Sequence, residues 1–360
     1  MPPRSFVHAA LLGVLGAAGC ALFPSLDGLS PADAGDGDAS GDAANDAGCA
    51  ANVSSDSKNC GACGHDCLSA PCTEGVCAPA QLATAQGDVE ELAIDGDELF
   101  WTSKSLGRVA KCETSDCSGT TTVLVDGFGT PVDLALDATY VYWSDGTSPG
   151  SVARCARAGC GGVATTLATS QGGLDGVAVS STLVFFDTPI GIGACPLTGC
   201  TGSPQVVISG SGPDDIATDA TYVFAIVGST IDRCTLPACG DVTSLFSVPN
   251  GAEGVASDGV NVVATAKAAG EIFTCPVQGC AKPTLLVGNQ SDPGDVVSDG
   301  TAAYWVDENG STVMECALAG CAGVPLVLAD SVGAPNGIAV DSTYVYFADG
   351  NTGEIARVPK

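Results

Sequence analysis

The reactive side chains of this sequence are cysteines and carboxylates, and their spacing sorts them into sets with different chemistry. Of nineteen cysteines, Cys20 stands alone. Six crowd into one short block: Cys49, Cys60, Cys63, Cys67, Cys72 and Cys77. The other twelve form six C-x4-C pairs: Cys112/Cys117, Cys155/Cys160, Cys195/Cys200, Cys234/Cys239, Cys275/Cys280 and Cys316/Cys321. Block and pairs are both even sets, the pattern of disulfides in an exported chain. A block so rich in Gly and Asp cannot fold by burial alone, so three disulfides are expected to hold it. Its C-x2-C-x3-C spacing beside His65 also permits zinc, although an oxidising compartment favours disulfides. Each C-x4-C pair closes a short loop, worth roughly 2 kcal/mol by chain entropy.

Carboxylates recur as regularly. Glu90 and Glu91, Asp133, Asp175, Asp214 and Asp215, Glu253, Asp295 and, as a carboxamide, Asn336 each precede an apolar run. Oxygens contributed by several loops are what a Ca²⁺ site requires, and converging carboxylates raise one another's pKa unless a cation is present. The alternative is local: each acid caps backbone N–H groups within its own repeat. A second set, Asp95, Asp137, Asp219, Asp258, Asp299 and Asp341, with Ser180 in the remaining copy, reads as turn residues.

Both histidines, His8 and His65, precede residue 78. The remainder therefore has no Ser-His-Asp triad and no His-ligated zinc. With its thiols paired it also lacks a cysteine nucleophile. Lys104, Lys267 and Lys282 read as lying in non-equivalent loops, which leaves a lysine mechanism without a partner.

What must position these residues is a repeat. The first cysteines of the pairs are 43, 40, 39, 41 and 41 residues apart, the period of a propeller blade. DLALDATYVYWSD (133–145) recurs as GVAVSSTLVFFDT (176–188), DIATDATYVFAIV (215–227), GVASDGVNVVATA (254–266), DVVSDGTAAYWVD (295–307) and GIAVDSTYVYFAD (337–349), with ELAIDGDELFWTS (91–103) as a seventh copy. Each copy predicts an apolar strand, an Asp turn and an alternating aromatic strand. A third strand ends at the first cysteine of the pair, and a fourth follows the second cysteine. Trp101, Trp143, Phe186, Trp305 and Phe347 are expected in the core between blades. The last copy has three strands, and AQLATAQGD (80–88) matches the fourth strand ATTLATSQGG (164–173). The expectation is an all-β, seven-bladed propeller over residues 78–360, with its N-terminal strand completing the last blade. Closure of this kind removes an exposed sheet edge.

The YVYWSD and YVYFAD segments, with the GEIAR continuation, resemble the YWTD and NHL propeller families over about 270 residues. The resemblance implies the fold and no particular activity. Six blades are common in those families, so their sites do not transfer by position. Without histidine, the histidine chemistry of the streptogramin-lyase type has no residue to carry it.

Residues 1–19 read as a signal peptide, with Arg4, an apolar stretch from Phe6 to Leu15, and Ala17-Ala18-Gly19 before Cys20. Small residues directly before a cysteine resemble the bacterial lipobox, which implies acylation of Cys20 and anchoring to a lipid bilayer. Residues 20–48 carry that cysteine and an Asp/Ala/Gly tether with nothing to bury. Residues 49–77 form the cysteine-rich module, which resembles short segments of predicted myxobacterial surface lipoproteins. A net charge of −29 opposes nucleic acid and favours a cationic ligand, a metal ion or a basic protein face. The sequence thus reads as a monomeric, non-enzymatic binding or interaction module of the cell envelope. Its expected place is the outer membrane, and its ligand is an unknown protein, glycan or cation. A calcium-dependent propeller hydrolase or lactonase and a purely structural envelope protein are the alternatives.

Overall fold

The computed structural model describes residues 52–360 except Ser170, Gln171, Gly173, Ser211 and Gly212. The expected signal peptide, Cys20, the tether and Cys49 lie outside the described residues.

Seven four-stranded antiparallel sheets are present among the described residues, six of them meanders in sequence order. They are numbered here as blades 1 to 7. Their first strands are Val89–Asp95, Pro131–Leu136, Val177–Val179, Pro213–Thr218, Val255–Ser257, Pro293–Ser298 and Pro335–Val340. Each first strand contacts the first strand of the next blade, and the last returns to the first, so these strands form a closed ring around an axial channel. Blade 7 takes its fourth strand from Ala80–Ala83, which pairs with Glu354–Pro359. The fold is the expected seven-bladed propeller.

Alternation explains the second strands. In Tyr140–Asp145 and its counterparts, the large side chains enter the spaces between blades. Trp143, fully buried, shares a cluster with Phe100, Val109 and Leu124 of blade 1. Trp101, Phe186, Trp305 and Phe347 are buried at the same register. Truncating such a ring to alanine costs about 3–5 kcal/mol. In blades 4 and 5 the position is Ala225 and Ala264.

All six C-x4-C pairs are disulfides. Cys112 bonds to Cys117 with its Cα 4.9 Å away, Cys155 to Cys160 at 5.5 Å and Cys195 to Cys200 at 5.1 Å. Cys234 bonds to Cys239 at 4.7 Å, Cys275 to Cys280 at 5.8 Å and Cys316 to Cys321 at 5.4 Å. Each clips the turn between the third and fourth strands of its blade.

The strand limits around these clips differ from the sequence expectation. The third strands run one residue past the first cysteine, because that next residue still pairs with the second strand, as Ala156 does with Tyr140. The fourth strands follow the second cysteines, as expected, after a short connection. Cys117 opens the one-turn helix Cys117–Thr120, and Cys160, Cys200, Cys239, Cys280 and Cys321 lie between strands. The fourth strands begin only at Thr122, Thr165, Gln205, Thr243, Thr284 and Leu326. To bridge its partner, the second cysteine must fold back over the end of the third strand. The chain then needs further residues before it can join the sheet.

In the cysteine-rich module Cys60 pairs with Cys72 and Cys67 with Cys77, and Cys63 is also disulfide-bonded. The described cysteines of the module are thus committed to disulfides rather than to zinc.

Candidate functional site

Strand register separates the predicted acids into two tiers one residue apart. In the inner tier, directly before the first-strand residue that pairs with the buried inter-blade position of the second strand, blades 1 to 7 carry Glu91, Asp133, Gly176, Asp215, Gly254, Asp295 and Gly337. The outer tier, one residue earlier, carries Glu90, Val132, Asp175, Asp214, Glu253, Gly294 and Asn336. Asp175, Glu253 and Asn336 are therefore not equivalent to Asp133, Asp215 and Asp295. Because neighbouring residues on a strand point opposite ways, the single ring expected from sequence is two.

From blade 2 to blade 7 the inner tier alternates aspartate and glycine. Each aspartate uses one oxygen for its own strand. Asp133, Asp215 and Asp295 Oδ1 accept the N–H groups of Leu134 at 2.6 Å, Ile216 at 2.7 Å and Val296 at 2.7 Å. The other oxygen crosses to the next blade, where Oδ2 accepts from Val177 at 2.5 Å, Val255 at 2.8 Å and Ile338 at 3.0 Å. Each of those donors directly follows an inner glycine. The glycines do the reverse job of admitting the next blade closely. A Cβ on Gly176 would lie 2.9 Å from Asp214 O, one on Gly254 2.9 Å from Gly294 O, and one on Gly337 2.8 Å from Glu90 O. So the acids stitch blades 2 to 3, 4 to 5 and 6 to 7, and the glycines let the pairs close up.

Hydroxyls from the second strands add further stitches. Thr102 Oγ1 donates to Val132 O at 2.6 Å, Ser144 Oγ to Asp175 O at 3.1 Å and Thr265 Oγ1 to Gly294 O at 2.8 Å.

The four inner carboxyls line the channel and feel one another. Burial first, and then the charges of Asp295 and Asp133, push Glu91 well above the usual carboxylate range. Burial and the Asp215 charge do the same to Asp133. Asp215 is pushed up to about 6 and Asp295 to about 7, with burial the main cause in both. Among the described residues no three carboxylates bring an oxygen within 4.8 Å of one another. The group that meets this test there is Cys60, Cys67 and Cys77, all in disulfides.

The outer tier faces solvent at the channel mouth. Asp175, Asp214 and Glu253 are exposed, and burial followed by the charges of Glu253 and Asp175 raises Asp214. Lys104 pairs with Glu90 at 3.0 Å, and Lys267 pairs with Glu253 at 3.0 Å and Glu308 at 2.8 Å. These two lysines occupy the same position in blades 1 and 5, immediately after the second strand, which corrects the reading of unrelated loops. A recess of about 360 Å³ opens beside Lys267, lined by Asp214, Asn250, Glu253, Lys267 and Asp292. The channel beyond the inner acids is mainly apolar, about 320 Å³, with Leu92, Ile94, Val255, Val296, Ile338 and Val340 in its wall.

At the opposite face the second acid set makes turns. Asp137 accepts the N–H groups of Thr139 and Tyr140, and Asp341 those of Thr343 and Tyr344. Ser180 caps Leu183 in the same way.

No family model and no curated protein matches the sequence. Similar solved structures share the fold. A catalytically inactive histidine-to-alanine variant of virginiamycin B lyase from Staphylococcus aureus, solved with quinupristin, has a TM-score of 0.64 at 13% identity, covering 79% of this chain and 99% of the lyase. The WD40 β-propeller domain of Doa1 gives 0.64 at 13% identity over 79% of this chain and 97% of that domain. A chain of the nidogen/laminin complex gives 0.53 at 17% identity over 67% of this chain and 97% of its own length.

Proposed function

We propose that the protein is an exported, lipid-anchored binding module of the cell envelope, which captures basic ligands at the acidic mouth of its propeller. The observation that carries this reading is the outer tier. Glu90, Asp175, Asp214 and Glu253 stand around one mouth, on a chain of net charge −29, beside a recess of about 360 Å³. Lys104 and Lys267 offset part of this charge, and a concave rim that keeps an excess of one sign raises the local concentration of the opposite sign. Residues 78–360 contain no histidine, whereas the structurally similar lyase is inactive once a histidine is replaced. A calcium-hydrolase reading draws less support, because both oxygens of each inner aspartate already hold backbone N–H groups. Cys20 ahead of a polar tether supports the anchor.

The test is calorimetric titration of the mature protein with a short oligolysine peptide. Saturable binding that weakens with salt, and that Asp214→Asn with Glu253→Gln reduces at least about tenfold, is expected. Unsaturable or absent binding would favour a structural envelope role, and turnover of an ester, lactone or glycoside an enzyme. In cells, Cys20→Ser should move the protein out of the membrane fraction; unchanged fractionation removes the anchor.

A further inference from the structure

We propose that the cysteine-rich module is the closing clip of the propeller, standing where a seventh C-x4-C disulfide would be. In blades 1 to 6 a continuous turn and a disulfide join the third strand to the fourth. Blade 7 has neither, because its third strand is Glu354–Pro359 and its fourth is Ala80–Ala83. Register locates the missing cysteine. Arg357 opposite Ala80 matches Arg154 opposite Thr165 in blade 2, so Val358 takes the place of Cys155.

The module fills that gap. Cys77, three residues before the fourth strand, is locked to Cys67. Cys60, Cys67 and Cys77 are fully buried in one cluster with Tyr304 and Val313 of blade 6 and Val345 and Val358 of blade 7. Gly61 packs so closely on Leu326 of blade 6 that a Cβ there would lie 2.7 Å from its Cδ1. The His65 ring lies between two carbonyls, with Nδ1 2.5 Å from Cys60 O and Nε2 3.2 Å from Pro359 O. One face of the module thus grips the end of the third strand, the start of the fourth, and the neighbouring blade. Lys360 adds a pairing of its own to Asp299 of blade 6.

A seam held only by ladder hydrogen bonds and packing is where a ring opens first, and an opened ring exposes two unpaired sheet edges. The module raises the cost of that opening as a disulfide does in the other blades, by tying the fourth strand to a body that also holds the third.

Two measurements test this. In the full chain, His65→Ala should raise amide hydrogen exchange in Ala80–Ala83 and Glu354–Pro359 about tenfold over blades 2 to 4, the effect of losing one buried hydrogen-bonded contact. A uniform rise or none would overturn the proposal. The second measurement removes residues 52–77 from two chains: the natural one, and a circular permutant in which a short linker joins Lys360 to Ala78. The natural chain should lose its cooperative melt or drop sharply in melting temperature, while the permutant, with its seam made covalent, should melt within a few degrees of the intact protein. If the shortened natural chain melts like the intact one, or if the permutant fails equally, the module does not act at the seam.

Discussion

Asp295 on blade 6 accepts the Ile338 N–H of blade 7 at 3.0 Å across 43 residues of chain, and the residue before that donor is Gly337. The same arrangement joins Asp133 to Val177 and Asp215 to Val255. An acid that elsewhere would invite a ligand is here part of the fold's own backbone pairing, and this has consequences for how stability responds to pH.

In an unfolded chain these aspartates titrate near 4, whereas in the fold Asp215 and Asp295 do so at about 6 and about 7. Between those limits the native state binds more protons, so stability is highest on the acid side and is lost as pH rises through about 6 to 7. Thermal melts should therefore be higher at about pH 5.5 than at about pH 8. Relief of overall negative repulsion acts in the same direction, and Asp295→Asn separates the two effects. It should lower the melting temperature on the acid side, because an amide NH₂ cannot accept from Ile338 or Val296, and it should also shrink the pH slope. An unchanged slope would remove Asp295 from the account.

The close approach at the inner glycines is testable without touching charge. Gly254→Ala puts a Cβ 2.9 Å from Gly294 O, while Gly240→Ala meets nothing within 4 Å. Denaturant unfolding should show a loss of about 1–3 kcal/mol for the first, the usual cost of overpacking, and little change for the second. Equal effects would mean that backbone flexibility, not inter-blade spacing, governs the position.

Removing one clip should weaken its blade without dissolving the propeller. Cys155→Ala with Cys160→Ala is expected to cost about 2 kcal/mol in denaturant unfolding, with the β-sheet circular dichroism retained. A variant as stable as the parent would make the clips incidental to stability.

The fold was readable because its signals are local and repeated. The cysteine period marks the third-to-fourth turn, the Asp turn fixes the first hairpin, and the match of 80–88 to 164–173 predicts the strand that completes blade 7. The inner tier was harder to read, because acids were matched by type and not by register. Asp175 and Asp133 both precede an apolar run, yet only Asp133 stands directly before the strand residue that pairs with the buried inter-blade ring, Leu134 with Trp143, whereas Val177, the partner of Phe186, comes two residues after Asp175. The signal was present in Gly-Val, Gly-Val and Gly-Ile alternating with Asp-Leu, Asp-Ile and Asp-Val. The equivalence of Lys104 and Lys267 was missed similarly, although each opens a four-residue connection, 104–107 and 267–270, after its second strand. The docking of His65 against Pro359 joins residues 294 positions apart, and no local pattern announces it.

Parity makes blade 1 different from the others. A two-state alternation closes on an even ring but not on an odd one, and with seven blades one junction must break the rule. Three aspartate–glycine pairs occupy blades 2 to 7, and blade 1 is left over with Glu91 next to Asp133, an acid facing an acid. There the crossing bond comes from Thr102 to Val132 O, while Glu91 Oε1 accepts the N–H of Leu92 in its own strand at 2.8 Å. The sevenfold pattern therefore carries one fixed defect, which gives an otherwise rotationally repetitive disc a single marked direction. A ring with one blade more or fewer would have no such mark.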